Sequence, residues 1–404
     1  MSARDQFATA ARQRAPLAAR AVFALLARIG HGRLSLGLPD GSRCEFGDSG
    51  PSARLDVSDW GVFSAVLRRG DIGFAETFID GRWSTPDVSQ LLTVFTLNRG
   101  AMERAIYGGF WSRVVHRVRH ALNANTRRGS RRNIAAHYDL GNDFYALWLD
   151  PTMTYSSALF EGDLTRTLEA AQAAKYRRIL DRLAPQPGAR VLEIGCGWGG
   201  FAELAARESG CRVTALTLSE EQLRYADRRM HRAGVAHLVD LAFRDYRDET
   251  GRYDCVVSIE MYEAVGERYW PSYFGTIARC LKPGGRALVQ AITIADGLFE
   301  RYRAGSDFIQ QYVFPGGMLA SPSRFRAEAR AAGLEVAGEL SFGLDYAETL
   351  RRWRRAFRDR LPEVRALGYD ERFARTWEFY LAYCEAGFAS LCTDVTQFEL
   401  VRPR

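Results

Sequence analysis

Residues 191–200, VLEIGCGWGG, decide the fold of this chain. An apolar run typical of a buried strand ends in Gly195, Gly197 and Gly199, and an amphipathic helical pattern, FAELAARESG, follows directly. Glycines let the backbone approach a ligand closely, and the N-terminus of the next helix favours a carboxylate or phosphate there. The stretch therefore predicts a cofactor-binding loop between a strand and a helix of a nucleotide-binding sheet.

The sequence on both sides of this loop alternates between two patterns. From about residue 133, short apolar runs are joined by amphipathic helical stretches of about 10–15 residues, which predicts an α/β domain with a largely parallel sheet covered on both faces. The LKPGG stretch at 281–285 is expected to end a helix before another strand. Residues 1–112 alternate apolar runs with turn signals, including a hairpin signal around Pro39-Asp40-Gly41, and predict a small α+β domain.

Residues 113–132 join these two parts and are rich in arginine, with no acidic residue. They form either a solvated basic linker or a segment attracted to anionic lipid headgroups, and both interpretations remain open. The formal net charge of +7 likewise fits nucleic acid or an anionic membrane surface. Seven cysteines without a CxxC pair disfavour a disulfide framework and a metal site. No apolar run reaches the roughly 18 residues of a membrane span, and the N-terminus lacks a signal-peptide core, so a cytoplasmic location is expected.

The cofactor is suggested by polar residues near the ends of the predicted strands. Glu193, just before the glycine loop, fits S-adenosylmethionine (SAM) better than a dinucleotide. After the next strand, TLSEEQ offers Thr217, Ser219, Glu220 and Gln222 as polar candidates. Asp245, after a third strand, could accept a hydrogen bond from the adenine amino group.

Several further motifs point to one family. They are AAHYDLGNDFYALWLDPTMTYSSALF (135–160), TLSEEQL (217–223), SIEMYEAVG (258–266), YVFPGG (312–317) and, nearer the N-terminus, IGFAETFIDGRW (72–83). With the glycine loop they resemble the cyclopropane-fatty-acyl-phospholipid synthases and the related mycolic acid methyltransferases. The resemblance implies a class I SAM-methyltransferase domain at 133–404, with a Rossmann-like seven-stranded sheet and a helical cap. It also implies a lipid-associating α+β domain at 1–112 and a basic linker at 113–132.

The resemblance also implies roles for individual residues. The residues that would contact SAM are Tyr155, Ser156, Glu193, Gly195, Gly197, Gly199, Thr217, Leu218, Gln222 and Asp245. Tyr145 would face the sulfonium. In this family an alkene attacks the methyl group of SAM, and a bicarbonate ion then accepts a proton from the resulting cation. The residues that match the bicarbonate site are Ser157, Glu263, Gln290, Ile292 and Tyr312.

Three positions depart from the synthases. Ser157 replaces a cysteine, Gln290 replaces a histidine, and Ala264 stands where histidine is common. Neither Ser157 nor Gln290 can carry a positive charge, and glutamine cannot relay a proton as imidazole does. We therefore expect an altered anion site, with alkylation retained and the fate of the cation changed. A cyclopropane, a methylene group, a methyl branch and a furan precursor all remain open as products.

The expected function is thus SAM-dependent transfer of one carbon to a double bond of a phospholipid acyl chain. The protein would be peripherally associated with the inner face of the membrane, homodimeric, and without a nucleic-acid partner. Two alternatives remain: a methyltransferase for a small molecule or RNA, and a non-catalytic lipid-binding homologue. The helical patterns at 342–357 and 371–390 are expected to cap the sheet and wall an acyl channel, with Tyr346, Trp353 and Trp377 as packing residues.

Overall fold

The computed structural model describes residues 15–100 and 140–404. The predicted basic linker, 113–132, lies outside the described residues. The first described range contains α1 (Leu17–Leu26), β1 (Gly32–Gly37), β2 (Arg43–Ser49), β3 (Ser52–Val57), α2 (Gly61–Ile79), β4 (Trp83–Ser84) and α3 (Val88–Leu97). The second begins with α4 (Asn142–Ala146), α5 (Leu168–Leu183), β5 (Arg190–Ile194), α6 (Gly200–Ser209), β6 (Arg212–Thr217), α7 (Glu220–Arg232), β7 (Val239–Phe243), β8 (Tyr253–Ile259) and α8 (Trp270–Cys280). It continues with β9 (Leu281–Ile294), α9 (Asp296–Arg303), α10 (Phe308–Tyr312), α11 (Pro322–Ala331), β10 (Glu335–Ser341), α12 (Gly343–Asp359), α13 (Leu361–Ala366), α14 (Glu371–Ala389) and β11 (Thr393–Val401).

The chain divides into two compact units. One comprises Met1–Arg117 with Leu361–Cys392, and the other comprises Val118–Arg360 with Thr393–Arg404. The second unit contains a seven-stranded sheet in the order β10-β11-β9-β8-β5-β6-β7. Strands β9, β8, β5, β6 and β7 run parallel to one another, and β11 is antiparallel to both β9 and β10. This arrangement confirms the predicted class I methyltransferase fold.

The glycine-loop strand, β5, is buried on both faces because helices cover both sides of the sheet. Leu192 and Ile194 pack into one apolar cluster with Trp270, whereas Val191 packs into a second cluster with Phe201. This alternation follows from the two-residue period of a strand. Helix α8 ends at Cys280 with Leu281 as its C-cap, as predicted for LKPGG, and the motif itself forms the irregular start of β9.

The site is positioned at the carboxyl edge of the parallel strands. The glycine loop follows β5, Thr217 ends β6, Asp245 comes shortly after β7, and Glu260 comes directly after β8. Loops at this edge of an open α/β sheet form the usual ligand crevice. Neighbouring strands thus bring together residues that are distant in sequence.

The first unit contains a four-stranded sheet in the order β2-β1-β3-β4, and its β1–β2 hairpin turns where the sequence predicted. Helix α14 belongs to this unit, although the sequence analysis assigned all of 133–404 to one domain and expected 371–390 to cap the seven-stranded sheet. Its apolar face explains the difference: Phe379 packs on Phe78 with ring centroids 5.7 Å apart. The Tyr383 hydroxyl also donates to the half-buried Asp71 carboxylate at 3.0 Å.

Candidate active site

The glycine loop adopts a conformation that other residues tolerate poorly. Gly195, Gly197 and Gly199 have φ values of 86°, 51° and 83°, in the left-handed region that favours glycine. A Cβ atom on Gly199 would lie 2.9 Å from Cε of Met230 on α7, so this glycine also permits close packing of the loop against that helix. The three glycines are therefore needed because the backbone of this loop has positive φ angles.

A cavity opens beside this loop. Nine of the ten residues expected to contact SAM line it: Tyr155, Ser156, Glu193, Gly195, Gly197, Thr217, Leu218, Gln222 and Asp245. Gly199 does not line the cavity and instead packs behind it against Ala226 and Met230. The loop, the ends of the strands and the Tyr155–Ser156 segment therefore meet around one space.

Several polar groups of the cavity are already oriented by the chain. The Thr217 hydroxyl donates to Oε1 of Gln222 at 3.0 Å, and the Asp245 carboxylate is held by the Arg247 side chain at 2.9 and 2.6 Å. Asp245 is thus engaged with an arginine that also lines the cavity. Ser219 serves as the N-cap of α7, which gives it a structural role.

Glu193 fits a cofactor that donates a hydrogen bond. It is 2% exposed, and its Oε2 atom has no hydrogen-bond partner among the described residues. Burial raises the pKa of its carboxyl to about 8, against the opposing charges of Arg229 and Lys175. A buried acceptor without a partner is costly, so a ligand that donates a hydrogen bond here would relieve that cost. The residues present fit SAM.

Glu260, which was not selected from the sequence, lies at the centre of a hydrogen-bonded cluster with Ser157, Gln290 and Tyr346. We call this group the Glu260 cluster. Oε1 of Glu260 accepts hydrogen bonds from the backbone N–H of Ser157 at 2.8 Å and from Nε2 of Gln290 at 2.7 Å, and its Oε2 accepts from the Tyr346 hydroxyl at 2.6 Å. Glu260 also lines the cavity. Burial raises the pKa of its carboxyl, and the positive charge of Lys175 opposes that shift.

Glu263 lies beside this cluster and does not line the cavity. One of its carboxylate oxygens accepts from the backbone N–H of Ile292, and the other has no hydrogen-bond partner among the described residues. Burial, reinforced by the charge of Glu260, raises the pKa of its carboxyl to about 8. Glu263 and Ile292, both expected to hold a bicarbonate ion, are instead hydrogen-bonded directly to each other.

Tyr312, which the resemblance places at the anion site, is the last residue of α10, and its role at that site stays a prediction. Its side chain is 41% exposed and stacks on Phe308 with ring centroids 5.2 Å apart. The tyrosine that reaches the carboxylate is Tyr346 on α12, for which the sequence analysis expected only a packing role. A usable signal was its helical spacing with Thr349 and Trp353, which places all three residues on the buried face of one helix.

Aromatic rings surround the Tyr155 edge of the cavity. Tyr145 is fully buried, with its ring centroid 5.4 Å from that of Tyr155 and 5.0 Å from that of Trp198, and both of these partners line the cavity. Trp353 packs against Tyr155 at 5.4 Å, as expected of a packing residue. Tyr145 itself does not line the cavity, so it contributes to this wall from behind.

Lys175 on α5 is a second residue that the sequence analysis missed. Its ammonium group is completely buried and donates to Oγ of Ser156 at 2.5 Å and to Oε1 of Gln172 at 2.7 Å. Burial lowers the pKa of Lys175 to about 7, against the attraction of Glu260, Asp150 and Glu193. Lys175 therefore places a titratable amine beside carboxyl groups that attract its charged form.

The residues present do not fit a free bicarbonate ion at the predicted anion site. The Ser157 N–H and the Gln290 amide already donate to Glu260, and the Ile292 N–H already donates to Glu263. Carboxylates of the chain occupy the donors that the ion would need. The donors at this site therefore bind the chain's own carboxylates and not a free bicarbonate ion.

Comparisons with known proteins identify the family of this chain. Residues 125–398 match the mycolic acid cyclopropane synthetase family. The chain belongs to this family. Tuberculostearic acid methyltransferase of Mycobacterium tuberculosis is 42% identical over 346 residues, covering 83% of this chain and 80% of the relative. Cyclopropane-fatty-acyl-phospholipid synthase of Escherichia coli K12 is 33% identical over 354 residues, covering 87% and 88%.

A solved relative shows the same architecture. A mycolic acid cyclopropane synthase complexed with S-adenosylhomocysteine and CTAB matches with a TM-score of 0.63 and 32% identity, covering 67% of this chain and 98% of that one. This member of the cyclopropane synthetase family is thus a SAM-dependent methyltransferase that modifies lipid acyl chains to cyclopropane or methyl-branched forms. Among the residues that the structure describes, no helix is both long enough and apolar enough to cross a membrane.

Proposed function

We propose that this protein methylates a carbon–carbon double bond in a phospholipid acyl chain, and that Glu260 accepts the proton which the alkylated chain then loses. The observation that carries the proposal is the position of Glu260. Its carboxylate engages the Ser157 and Gln290 donors predicted for a free anion, and the same residue lines the cavity beside the glycine loop. The site would thus contain its own base.

The residues of the chain suit the chemistry. Bound SAM supplies an electrophilic methyl group. The double bond uses its π electrons to form the new carbon–carbon bond while the sulfur–methyl bond breaks, and a carbocation remains on the lipid. An alkene needs no base before this step, but it does need alignment in a water-excluding site. The rings of Tyr155 and Trp198 offer faces that stabilise positive charge.

Proton loss completes the reaction. If the Glu260 carboxylate takes a proton from the transferred methyl carbon, the lipid becomes neutral as a ring or, after a hydride shift along the chain, as a methylene group. We propose the methylene product, because both Ser157 and Gln290 depart from the synthases and because the 42%-identical relative is named a methyltransferase. A saturated methyl branch needs two further electrons and would be formed by a separate reductase.

We also propose that the protein acts at a membrane surface and as a homodimer. Phospholipid acyl chains are presented in membranes, and the formal charge of +7 favours an anionic surface. Binding to vesicles with and without anionic lipid, together with the mass of the protein in solution, tests these two statements.

The central experiment incubates purified protein with SAM and phospholipid vesicles that carry one defined unsaturated chain, in buffer freed of carbon dioxide. We expect acyl chains that have gained one carbon as a methylene group, at a rate unchanged by added bicarbonate. Mass analysis of the released fatty acids distinguishes methylene, ring and furan-type products. Exclusive ring formation at a bicarbonate-dependent rate would contradict the proposal.

A further inference from the structure

A line of hydrogen bonds runs from Glu260 through two glutamines to an arginine. Oε1 of Gln290 accepts from Nε2 of Gln397 at 3.0 Å, and Oε1 of Gln397 accepts from the guanidinium of Arg178. Both glutamines are completely buried. Arg178 also donates to Glu399 at 3.2 Å, and Glu399 forms an ion pair with the half-exposed Arg182. The line therefore joins the half-buried Glu260 carboxylate to the half-exposed Arg182 on α5.

The arginine determines the direction of every bond in this line. A guanidinium can only donate, so the atom of Gln397 that faces Arg178 must be its carbonyl oxygen. The amino group of Gln397 then faces Gln290 and must meet the carbonyl oxygen of that side chain. This leaves the Gln290 amino group directed at Glu260, as the 2.7 Å contact requires.

We propose that Arg178 is a positioning residue which, acting through Gln397, orients the Gln290 amide so that the site stabilises the carboxylate of Glu260. The inference rests on the proposed function, in which Glu260 accepts the proton. It explains how a neutral glutamine can serve at a position where the synthases carry histidine: its donor is fixed by a cation on α5, two hydrogen bonds away.

Other groups also set the charge state of Glu260. Lys175 on α5 attracts its negative charge, the Tyr346 hydroxyl on α12 donates to it, and Glu263 on the adjoining turn repels it. Ser157 and Gln290 contribute donors that do not titrate. None of these residues changes in the variants below, so their effects are common to all proteins compared.

The test reverses the direction of these hydrogen bonds with a substitution that keeps the size of the side chain. In Gln397→Glu, the new carboxylate accepts from Arg178 and from the Gln290 amino group, which turns the Gln290 carbonyl oxygen towards Glu260. We expect the acid limb of the rate–pH profile to move up by about one pH unit, a roughly tenfold loss of methyl transfer on the acid side. Gln397→Met cuts the line without reversing it, so the acid limb should move in the same direction but by less than in Gln397→Glu. Glu169→Gln, at an exposed site on α5, is the control and should leave the rate within about twofold.

Two outcomes overturn the inference. One is an identical profile for Gln397→Glu and Gln397→Met when both bind SAM like the unmodified protein, as measured by calorimetry. The other comes from urea unfolding at about pH 6 and about pH 9. Arg178→Met should change the pH dependence of the unfolding free energy when Glu260 is present, and should leave it unchanged in a Glu260→Gln background. Equal changes in both backgrounds refute the positioning role. This measurement does not use Gln397→Glu, so it decides the question even if that variant fails to fold.

Comparing the unfolding of Arg178→Met with and without Glu260, the unfolding cycle, also distinguishes a failure of the positioning role from a failure of the proposed function. If the unmodified protein transfers no methyl group to any acyl chain, the proposed function fails, while the unfolding cycle still decides the role of Arg178. If methyl transfer occurs and the cycle shows no dependence on Glu260, only the positioning role fails.

Discussion

Glu260 combines a strained backbone with a half-buried carboxyl group. Its φ of 49° lies in a region that glycine adopts readily and other residues rarely do. Its carboxylate is retained there by one backbone donor and two side-chain donors. Strain of this kind persists only where surrounding contacts enforce it, and it concentrates at functional sites.

Removing the charge of Glu260 should separate chemistry from cofactor binding. For Glu260→Gln we expect methyl transfer to fall by about a hundredfold or more, the usual contribution of a positioned base, with SAM affinity little changed. Steady-state rates on vesicles and calorimetric SAM titration measure the two effects. Glu169→Gln, at an exposed site in the first turn of α5, serves as the control and should behave like the unmodified protein. A proportional loss of SAM binding would point to a structural role for Glu260.

Removing the whole side chain should recreate an anion site. Glu260→Gly suits the positive φ and leaves the Ser157 N–H and the Gln290 amino group without their acceptor. We expect activity that is low in carbon dioxide-free buffer and rises on addition of bicarbonate. The measurement is the rate of acyl methylation against bicarbonate concentration. A rate indifferent to bicarbonate would show that these donors do not form the anion site.

Glu263 should make the protein less stable as the pH rises. Its carboxyl has a pKa of about 8 in the folded chain and an ordinary value of 4.5, so the folded state binds more protons between these limits. The stability that this group contributes is complete below about pH 4.5 and is lost as the pH rises towards 8. Glu263→Gln should therefore gain about 1–3 kcal/mol in unfolding free energy relative to the unmodified protein between about pH 5 and pH 8. Urea unfolding across that interval measures it; a difference independent of pH would contradict the assignment.

At the scale of elements, α12 holds the Ser157 segment in place. The Thr349 hydroxyl oxygen accepts from the backbone N–H of Ala158 at 3.1 Å, and the Asp345 carboxylate accepts from that of Phe160 at 2.6 Å. Helix α12 therefore contacts Glu260 directly through Tyr346, and it also holds the segment that follows Ser157 through Thr349 and Asp345. Its role in the site exceeds the capping and channel-lining role expected from its amphipathic pattern.

Thr349→Val should loosen that segment. Valine has the shape of threonine but leaves the buried Ala158 N–H without its acceptor, which costs about 1–3 kcal/mol. We expect this loss in unfolding free energy, together with a larger decrease in kcat than in SAM affinity. Thr376→Val on α14, where the hydroxyl only back-bonds to Arg372 of the same helix, should change stability by no more than about 0.5 kcal/mol. Similar losses for both variants would mean that the hydrogen bond to Ala158 contributes little.

Local patterns predicted the elements well, and contacts between distant elements explain what they missed. The glycine loop, β5, α5 and the β1–β2 hairpin each follow from residues adjacent in sequence. Tyr346 reaches the Glu260 carboxylate because α12 packs against the segment after Tyr155, a relation that no local period reveals. Glu260 and Lys175 were missed for the same reason: their roles depend on partners 103 and 19 residues away.

At the scale of the whole molecule, neither compact unit is continuous in sequence. The chain leaves the seven-stranded sheet unit after Arg360, completes the first unit with residues up to Cys392, and returns with β11. The returning strand lies between β9 and β10 and carries Phe398, which stacks on Phe325 at 3.8 Å. The last strand in sequence is therefore internal to the sheet.

A chain that ends at Cys392 should consequently lose the seven-stranded sheet unit. Without β11, buried backbone groups of β9 lose their partners on one side and the buried faces of Val395, Phe398 and Leu400 are missing. Each unpaired backbone group and each lost apolar side chain costs on the order of 1–3 kcal/mol, and a domain of this size has only about 5–15 kcal/mol of stability. We expect no SAM binding and no cooperative unfolding of this unit, while helical circular dichroism from the first unit persists because residues 361–392 remain. A chain that ends at Arg402 lacks only two exposed residues, Pro403 and Arg404, and should bind SAM normally. SAM binding by the chain that ends at Cys392 would show that β11 is dispensable and that the sheet is complete without it.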